Sequence, residues 1–389
     1  MRILMGILSE LSHERRQERM AASLERAGHE VSVTWVDNGT APLSAFWQGR
    51  RLHRLENPRA GRRKLYFLRF MHWFHRLILT ERPDCVLAVD PPALAPARRA
   101  LRRVPFRLLY DAREYYAELP TIRSRPLIAA WWRHQERRGM QAAQASWSVC
   151  ASIARALEAD YHLSGVDVVR NLPGHSWQPR GDGRRTQLRR LLPDLGEGPV
   201  VAYAGGFWPG YDFRPLQEAL GRLDGLRPEQ APASLVYFGE GPEEAEHRRH
   251  AERLAWRGRI HFAGKVPPES LESLLRGADA GTILAPDLGL SYRYLLPNKL
   301  FEYIQAGLPV LASPLPEMAA VVLGRRVGRC ADPSDAGDIA TQLALLLDPA
   351  REAHWQAALE AAAADLCWER EEAHFLRLVE GGETARPGP

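Results

Sequence analysis

The sequence predicts an α/β protein built from two Rossmann-like domains. A chain of 389 residues is long enough to bury two separate cores. Strand, helix and strand patterns recur along it, with short apolar runs separated by amphipathic segments. The charge is also divided, because residues 1–174 carry 28 basic and 17 acidic side chains whereas residues 175–389 carry 24 and 30. We therefore expect two domains that face different partners.

The composition is that of a soluble globular protein, with 45% hydrophobic and 25% charged residues and no apolar run near twenty residues. The apolar stretch from Ile3 to Leu8 is too short for a signal peptide and predicts a buried strand. The cysteines show neither metal-binding spacing nor a disulfide framework, which fits a reducing cytosol; they are Cys85, Cys150, Cys330 and Cys367.

The basic first half suits an anionic acceptor, an anionic membrane surface or a nucleic acid. Nucleic acid ranks last, because no zinc-finger spacing, RNA-binding aromatic signature or basic zipper is present. We therefore expect no nucleic-acid partner.

Residues 1–37 predict the first β-α-β unit. The run RILMGIL is followed by an amphipathic segment that ends at Gly28, and the alternating run HEVSVTWV follows. No G-x-G-x-x-G motif is present, which argues against a dinucleotide-dependent oxidoreductase.

Residues 59–80 predict a helix of unusual composition. At helical spacing Arg62, Arg69, His72 and Arg76 share one face, and aromatic and aliphatic side chains form a broad apolar arc. Such a helix suits a membrane interface. It equally suits packing on a sheet, which we prefer because an α/β domain needs helices of that kind.

Two further strands of the first half lead into loops rich in carboxylates. They are RPDCVLAVDPPAL at residues 82–94 and FRLLYDAREYYAELP at residues 106–120. The first loop carries Asp90, and the second carries Asp111, Arg113 and Glu114. The Arg- and Gly-rich piece that follows the first half, from residue 178 to 199, predicts an exposed linker with an irregular helix.

The stretch from residue 294 to 313, YLLPNKLFEYIQAGLPVLAS, predicts a loop, a helix, a tight turn at Gly307 and a buried strand. Asn298 and Lys299 lie at the helix N-terminus and Glu302 lies one turn further on. A helix N-terminus favours an anion, and a cation beside phosphate with a carboxylate beside sugar hydroxyls suits a nucleotide-sugar. Lys299 and Glu302 would otherwise be an ordinary surface pair one helical turn apart.

This stretch resembles the donor-site signature of GT-B glycosyltransferases, in particular the family-4-like enzymes of the glycosyl transferases group 1. Those enzymes carry P-N-K-x-F-E-Y followed by A-G-x-P-V. Glu302 falls on the second carboxylate of the family's E-x7-E motif, and Tyr294 stands where the first would be. Four earlier segments resemble the family's in the same order; they are PVVAYAGGFWPGYD, ASLVYFGEGPE, GRIHFAGKVPPESL and ADAGTILAPD.

The resemblance implies a GT-B fold, with two Rossmann-like domains facing across a cleft. Residues 1–174 would form the acceptor-side domain, 175–198 a linker and 199–367 the nucleotide-sugar domain. Residues 368–380 would form a helix crossing back to the first domain, and 381–389 a disordered tail.

The resemblance also implies site residues. The donor contacts would be Gly205, Gly206, Gly239, Lys265, Val266, Asn298, Lys299, Leu300 and Glu302. Arg16 matches the family's arginine in the first helix and would contact donor phosphate or acceptor. The candidate catalytic residues are Asp90, Asp111, Arg113 and Glu114, where Arg113 departs from the family's histidine.

The implied reaction is the retaining transfer of a hexose from a nucleotide-sugar to an acceptor hydroxyl, in the synthesis of a surface glycan, glycolipid or glycosylated metabolite. No D-x-D triplet is present, so we expect neither a metal nor another cofactor, and we expect the protein in the cytoplasm or at the inner face of the membrane. Two alternatives remain open. A nucleotide-sugar 2-epimerase would need acid/base histidines in the first domain, and a catalytically degenerate subunit would bind a partner or a membrane.

Overall fold

The computed structural model describes residues 1–38, 43–56, 63–181 and 183–381, which divide into two compact units. The first unit consists of Met1–Asn171 and the stretch that begins at Trp368, and the second of Leu172–Cys367. The stretch predicted as a linker, 175–198, lies in the second unit. The predicted tail falls outside the described residues from position 382 onward.

The first unit is a parallel sheet of seven strands in the order β3-β2-β1-β4-β5-β6-β7. The strands are β1 (Arg2–Gly6), β2 (Glu30–Asp37), β3 (Arg51–Glu56), β4 (Cys85–Val89), β5 (Arg107–Ala112), β6 (Ala145–Ser148) and β7 (Val166–Val168). The helices between them are α1 (Arg15–Arg26), α2 (Arg63–Glu81), α3 (Asp90–Ala100), α4 (Pro120–Arg123), α5 (Pro126–Met140) and α6 (Ala151–Tyr161). The predicted β-α-β start is confirmed by β1, α1 and β2.

The second unit is a parallel sheet of six strands in the order β10-β9-β8-β11-β12-β13. The strands are β8 (Val200–Ala204), β9 (Ser234–Phe238), β10 (Ile260–Gly264), β11 (Ala280–Ile283), β12 (Val310–Ala312) and β13 (Gly328–Cys330). The helices are α7 (Thr186–Leu191), α8 (Arg214–Leu226), α9 (Glu244–Ala251), α10 (Pro268–Leu275), α11 (Leu290–Arg293), α12 (Asn298–Gln305), α13 (Pro316–Gly324), α14 (Ala336–Leu346) and α15 (Glu352–Asp365). The predicted class of two parallel-sheet α/β domains is confirmed.

A final helix, α16 (Trp368–Glu380), completes the core of the first unit. Phe375 and Val379 are fully buried, and the ring of Phe375 lies 5.8 Å from that of Trp147 on β6. The indole of Trp368 donates a hydrogen bond to the hydroxyl of Ser23 on α1 at 2.9 Å. Residues that follow the second unit in sequence therefore pack among the first elements of the chain.

Helix α2 confirms the helix predicted near residues 59–80, and part of its apolar arc is turned into the core. Phe70, Phe74 and Ile78, four residues apart, are fully buried. The rings of Phe70 and Phe74 stack at 5.6 Å, and a Cβ added to Gly6 on β1 would touch the Phe74 ring. Leu68 is 60% exposed, and three polar side chains of the predicted polar face are exposed, namely Arg69, His72 and Arg76. Packing on the sheet therefore accounts for the stripe of Phe70, Phe74 and Ile78 within the apolar arc. Residues 57–62 lie outside the described part of the chain.

Helix α12 and strand β12 follow the predicted pattern closely. The helix begins after Pro297 and is followed by Gly307, whose φ of +73° is the left-handed value expected of a helix-ending glycine. Leu300, Phe301 and Ile304 are buried. Among the described residues, no helix combines the length and apolarity that a bilayer span requires.

Candidate active site

Two glycine turns lie in contact where β8 and β9 end. The amide of Gly205 donates to the carbonyl of Phe238 at 2.8 Å, and the amide of Gly239 donates to that of Gly264, at the end of β10, at 2.8 Å. Gly205 and Gly239 have φ values of +151° and +141°, and a Cβ on Gly239 would lie 2.0 Å from the Gly205 carbonyl oxygen. Only glycine fits such an approach, so this edge of the sheet exposes backbone rather than side chains.

Lys299 reaches this edge from the first turn of α12. Its Nζ lies 4.2 Å from the centroid of the Tyr203 ring at the end of β8. A Cβ on Gly205 would lie 2.3 Å from the same Nζ, so the glycine leaves the space that the ammonium uses. Burial lowers the pKa of Lys299 to about 8, and the carboxylate of Glu302 acts in the opposite direction. The arrangement sets a cation next to a glycine turn at a helix N-terminus, which is chemically suited to an anion.

The hydroxyl of Tyr303 anchors α12 to the same edge. It accepts a hydrogen bond from the amide of Ala204 at 2.7 Å, and its fully buried ring packs against Gly281 on β11. Tyr203 and Tyr303 were not singled out from the sequence. Tyr303 is the last residue of the P-N-K-x-F-E-Y signature and Tyr203 lies near the end of a buried strand, but an aromatic residue at either position is also the ordinary pattern of a core.

The other predicted donor residues differ in exposure. Asn298 is exposed, Glu302 is half-buried and Leu300 is fully buried, and the amide of Leu300 donates to the carbonyl of Pro297 at 3.1 Å. Lys265 is exposed just after β10, and its amide donates to Glu240 at 3.4 Å. The remaining two, Gly206 and Val266, are half-buried in the turns after β8 and β10.

Two further arginines of the second unit, Arg214 on α8 and Arg293 on α11, are each held by a nearby carboxylate. Arg214 donates to Asp212 at 2.7 and 2.8 Å, and Arg293 donates to Asp287 at 2.9 Å. Both arginines are exposed, and their partners compensate their charge.

In the first unit, Arg16 and Asp111 form a buried ion pair. The Nε and Nη2 atoms of Arg16 donate to the two carboxylate oxygens of Asp111 at 2.9 and 2.7 Å. Arg16 is 3% exposed and Asp111 is fully buried. Both oxygens of Asp111 are thereby occupied, and this pair ties the start of α1 to the end of β5.

Arg113 lies between two carboxylates. It donates to Asp90 at 2.7 and 3.0 Å through its side chain and at 3.1 Å through its backbone, and it donates to Glu14 at 2.8 Å. Asp90 begins α3 with a φ of +61°. This left-handed conformation is uncommon for residues other than glycine and persists only where the surrounding structure imposes it. Burial raises the pKa of Asp90 and the guanidinium of Arg113 opposes that shift. Burial tends to lower the pKa of Arg113, but Asp90 and Glu14 outweigh it and the pKa is raised.

The structure thus brings Arg113, Asp90 and Glu14 together in one cluster, with the Arg16 and Asp111 pair as a separate buried contact. Glu114 is exposed beside this cluster. Within the described ranges there is no group of three or more His, Cys, Asp or Glu side chains arranged to hold a metal ion.

Comparisons with known proteins agree with this architecture. Residues 13–174 match a family model described as a glycosyl transferase 4-like domain, and residues 198–349 match one described as glycosyl transferases group 1. A search of curated protein sequences found no significant match.

Solved structures match over nearly the whole chain. Sucrose-phosphate synthase from Thermosynechococcus elongatus is 16% identical with a TM-score of 0.76, covering 98% of this chain and 99% of that one. HepE from Anabaena, solved with UDP-glucose, is 15% identical with a TM-score of 0.70, covering 98% and 100%. WaaG, a glycosyltransferase involved in lipopolysaccharide biosynthesis, is 16% identical with a TM-score of 0.67, also covering 98% and 100%.

Two parallel-sheet units and these structural matches define the GT-B fold of glycosyltransferases. The first half of the chain matches the glycosyl transferase 4-like domain and its second half matches the glycosyl transferases group 1 domain. The chain therefore belongs to the glycosyltransferases that combine these two domains.

Proposed function

We propose that the protein moves a hexose from a UDP-sugar to an acceptor hydroxyl, with retention at the anomeric carbon and without a bound metal. The observation that carries this proposal is the position of Lys299, whose ammonium lies over the Tyr203 ring and against Gly205. The solved complexes of HepE with UDP and with UDP-glucose support uridine and glucose as the first donor to test.

In this mechanism the bond between the anomeric carbon and the diphosphate oxygen breaks, and negative charge grows on the leaving diphosphate. Lys299 neutralises that charge together with the positive end of the α12 helix dipole. The acceptor oxygen bonds to the anomeric carbon on the face that the diphosphate leaves, and the acceptor proton passes to a diphosphate oxygen. Glu302 accepts hydrogen bonds from donor hydroxyls, and the bare backbone at Gly205 and Gly239 allows close approach.

Acceptor recognition is assigned to the first unit. Because Asp90 and Glu14 already compensate its charge, Arg113 is proposed to orient Asp90 rather than to bind an anion itself. The exposed carboxylate of Glu114 is then the group available to an acceptor hydroxyl. The role of WaaG in lipopolysaccharide synthesis supports a surface glycan or glycolipid as the acceptor class.

Release of UDP from UDP-glucose, with water in place of the acceptor, tests the proposal in the presence of EDTA. Glu302→Gln and Lys299→Ala are expected to lower this rate about a hundredfold or more, since one lost charged contact to a developing anion has that effect. Glu360→Gln, an exposed carboxylate on α15, is the matched control and should leave the rate unchanged. Equal rates in the control and both site variants would contradict the donor-site assignment.

A catalytically inactive subunit of the same fold is the second candidate, favoured by one observation. The position where the family has a histidine is filled by Arg113, which is fully engaged in ion pairs. Calorimetry and the UDP-release assay together separate the two candidates. An inactive subunit would bind UDP in calorimetry but would release no UDP from any UDP-sugar.

A further inference from the structure

A cavity of about 390 Å³ lies at the edge of the second sheet opposite the glycine turns. Pro199, Asp279 and Pro309, which line it, immediately precede β8, β11 and β12, so the cavity lies at the amino ends of these parallel strands. Leu347 after α14 and Trp355 on α15 close its other side. This volume is within the range of small-molecule sites.

Four arginines line this cavity, and three of them converge on one carboxylate. Arg184 contacts Asp279 at 2.5 Å, Arg185 pairs with its other oxygen, and Arg180 lies 3.7 Å away. The Asp279 side chain is only 13% exposed, so its charge is shared by three guanidinium groups inside the protein. The fourth arginine is Arg227.

The remaining acidic residues of the lining compensate these arginines weakly. Glu352 contacts Arg180 at 3.3 Å, but its side chain is 55% exposed, and the Glu197 side chain is 82% exposed. Asp348 pairs with Arg351 outside the lining and is 40% exposed. Water screens such exposed charges, so the interior of the cavity keeps an excess of positive charge. Burial and the neighbouring Arg184 lower the pKa of Arg180, in keeping with that excess.

Three buried N–H groups of the lining have no acceptor. The Nε atoms of Arg180 and Arg227 and the Nε1 atom of Trp355 find no hydrogen-bond partner within the part of the chain that is described. Trp355 is 5% exposed, and its indole can only donate. One acceptor of the lining, the Oε1 atom of Gln356, is unpaired as well. Buried donors almost always have acceptors in native proteins, so the excess of unpaired donors around this cavity favours acceptor oxygens from water or from a bound ligand.

We propose that this cavity binds a small phosphomonoester. A phosphate offers several acceptor oxygens and a double negative charge, and the planar guanidinium matches it geometrically. The apolar part of the lining, formed by Pro309, Leu346, Leu347 and Trp355, is suited to the ring or carbon chain that carries the phosphate. The site is separate from the donor turns and does not depend on the proposed transfer reaction.

Calorimetric titration of the full chain with glucose 6-phosphate, AMP and glycerol 3-phosphate tests this proposal, with glucose as the uncharged control. At least one phosphomonoester should bind, and it should bind the Lys299→Ala variant with the same affinity. Arg227→Gln should weaken that binding about tenfold or more, as expected for one charged hydrogen bond, and Trp355→Phe by a smaller factor. Arg249→Gln, an exposed arginine on α9 outside the lining, should change nothing.

Two outcomes would overturn the proposal. The first is that none of the three anions binds the folded chain. The second is that binding disappears in Lys299→Ala and persists in Arg227→Gln, which would assign the anion to the donor turns. Thermal melting of each variant distinguishes lost binding from lost folding.

Discussion

At the scale of single residues, Lys299 carries an amino group whose charged form is disfavoured by its surroundings. The side chain lies against an aromatic ring and a glycine turn, and burial lowers its pKa to about 8. A lysine with an ordinary pKa near 10 would be charged at every physiological pH. Here the charged fraction changes within a range that an enzyme assay can reach.

The KM for the donor is therefore expected to depend on pH. The ammonium form predominates below pH 8 and binds the diphosphate, so the KM should be constant there and should rise as the pH increases through about 8. A bound diphosphate will itself raise the pKa, so kcat should be less sensitive. Lys299→Arg, which stays protonated, should remove the inflection. The same inflection in the arginine variant would assign it to another group.

The glycine turns give a second prediction, because two neighbouring glycines should fail in different ways. In Gly239→Ala the new Cβ would lie 2.0 Å from a backbone oxygen, at a φ of +141°, so the second unit should lose several kcal/mol of stability. Gly205→Ala, at a φ of +151°, also strains the backbone, but the nearest atom is the flexible end of Lys299 at 2.3 Å, so it should cost less stability than Gly239→Ala and should also lower donor affinity. Thermal melting and donor titration separate the two effects.

Gly225 supplies the matched control for both substitutions. It lies in α8 with no atom within 4 Å of an added Cβ. Gly225→Ala should therefore be neutral or stabilise the protein by about 0.5–1 kcal/mol. A Gly239→Ala protein as stable as this control would mean that the turns can separate.

At the scale of elements, α2 shows how a broad apolar arc is divided by packing. Its aromatic residues predict a helix, yet they cannot predict which stripe faces inward, because only the partner surface at Gly6 and on α3 selects it. The structure selects Phe70, Phe74 and Ile78. Contact of α2 with a membrane remains a prediction that concerns only the face bearing Leu68.

Substitutions on the two faces of α2 should differ sharply. Phe74→Ala should destabilise the first unit by about 3–5 kcal/mol, since it leaves a cavity beside Gly6 and Phe70. Leu68→Ala removes a side chain that is 60% exposed and should change stability by less than about 0.5 kcal/mol. Chemical denaturation followed by circular dichroism measures both. Equal losses would mean that the inward stripe is misassigned.

The difference between local patterns and contacts between distant positions explains which features the sequence could predict. The donor helix α12 is bounded by Pro297 and Gly307 and carries its own apolar spacing, so local patterns were sufficient. The first-unit cluster joins Arg113 to Asp90 and Glu14, positions 23 and 99 residues away, and no local pattern encodes such partners. The cavity at the amino ends of β8, β11 and β12 was missed for the same reason, because three of its four arginines lie in a stretch predicted to be an exposed linker and the fourth, Arg227, follows α8.

At the scale of the whole molecule, the first unit is completed by residues from the far end of the chain. Helix α16 contributes Trp368, Phe375, Leu378 and Val379 to the core around β1 and β6. The intervening residues, Leu172–Cys367, form a unit with its own sheet.

A chain that ends at Cys367 should lose the first unit and keep the second. Removing a buried Phe or Trp costs about 3–5 kcal/mol, and this truncation removes one of each together with two further core residues. Limited proteolysis should then degrade residues 1–171 while the second unit stays intact. A chain that ends at Gly381 keeps all of α16 and is the control. Protection of residues 1–171 in the shorter chain would show that α16 is dispensable.

The late position of α16 also fixes an order of events on the ribosome. Every residue of the second unit is synthesised before Trp368, whereas the first unit lacks part of its core until Val379 has left the exit tunnel. Domains usually fold as they emerge, the N-terminal one first. In this protein we expect the reverse order. The first half of the nascent chain should remain incompletely folded, and accessible to chaperones, until α16 has been synthesised.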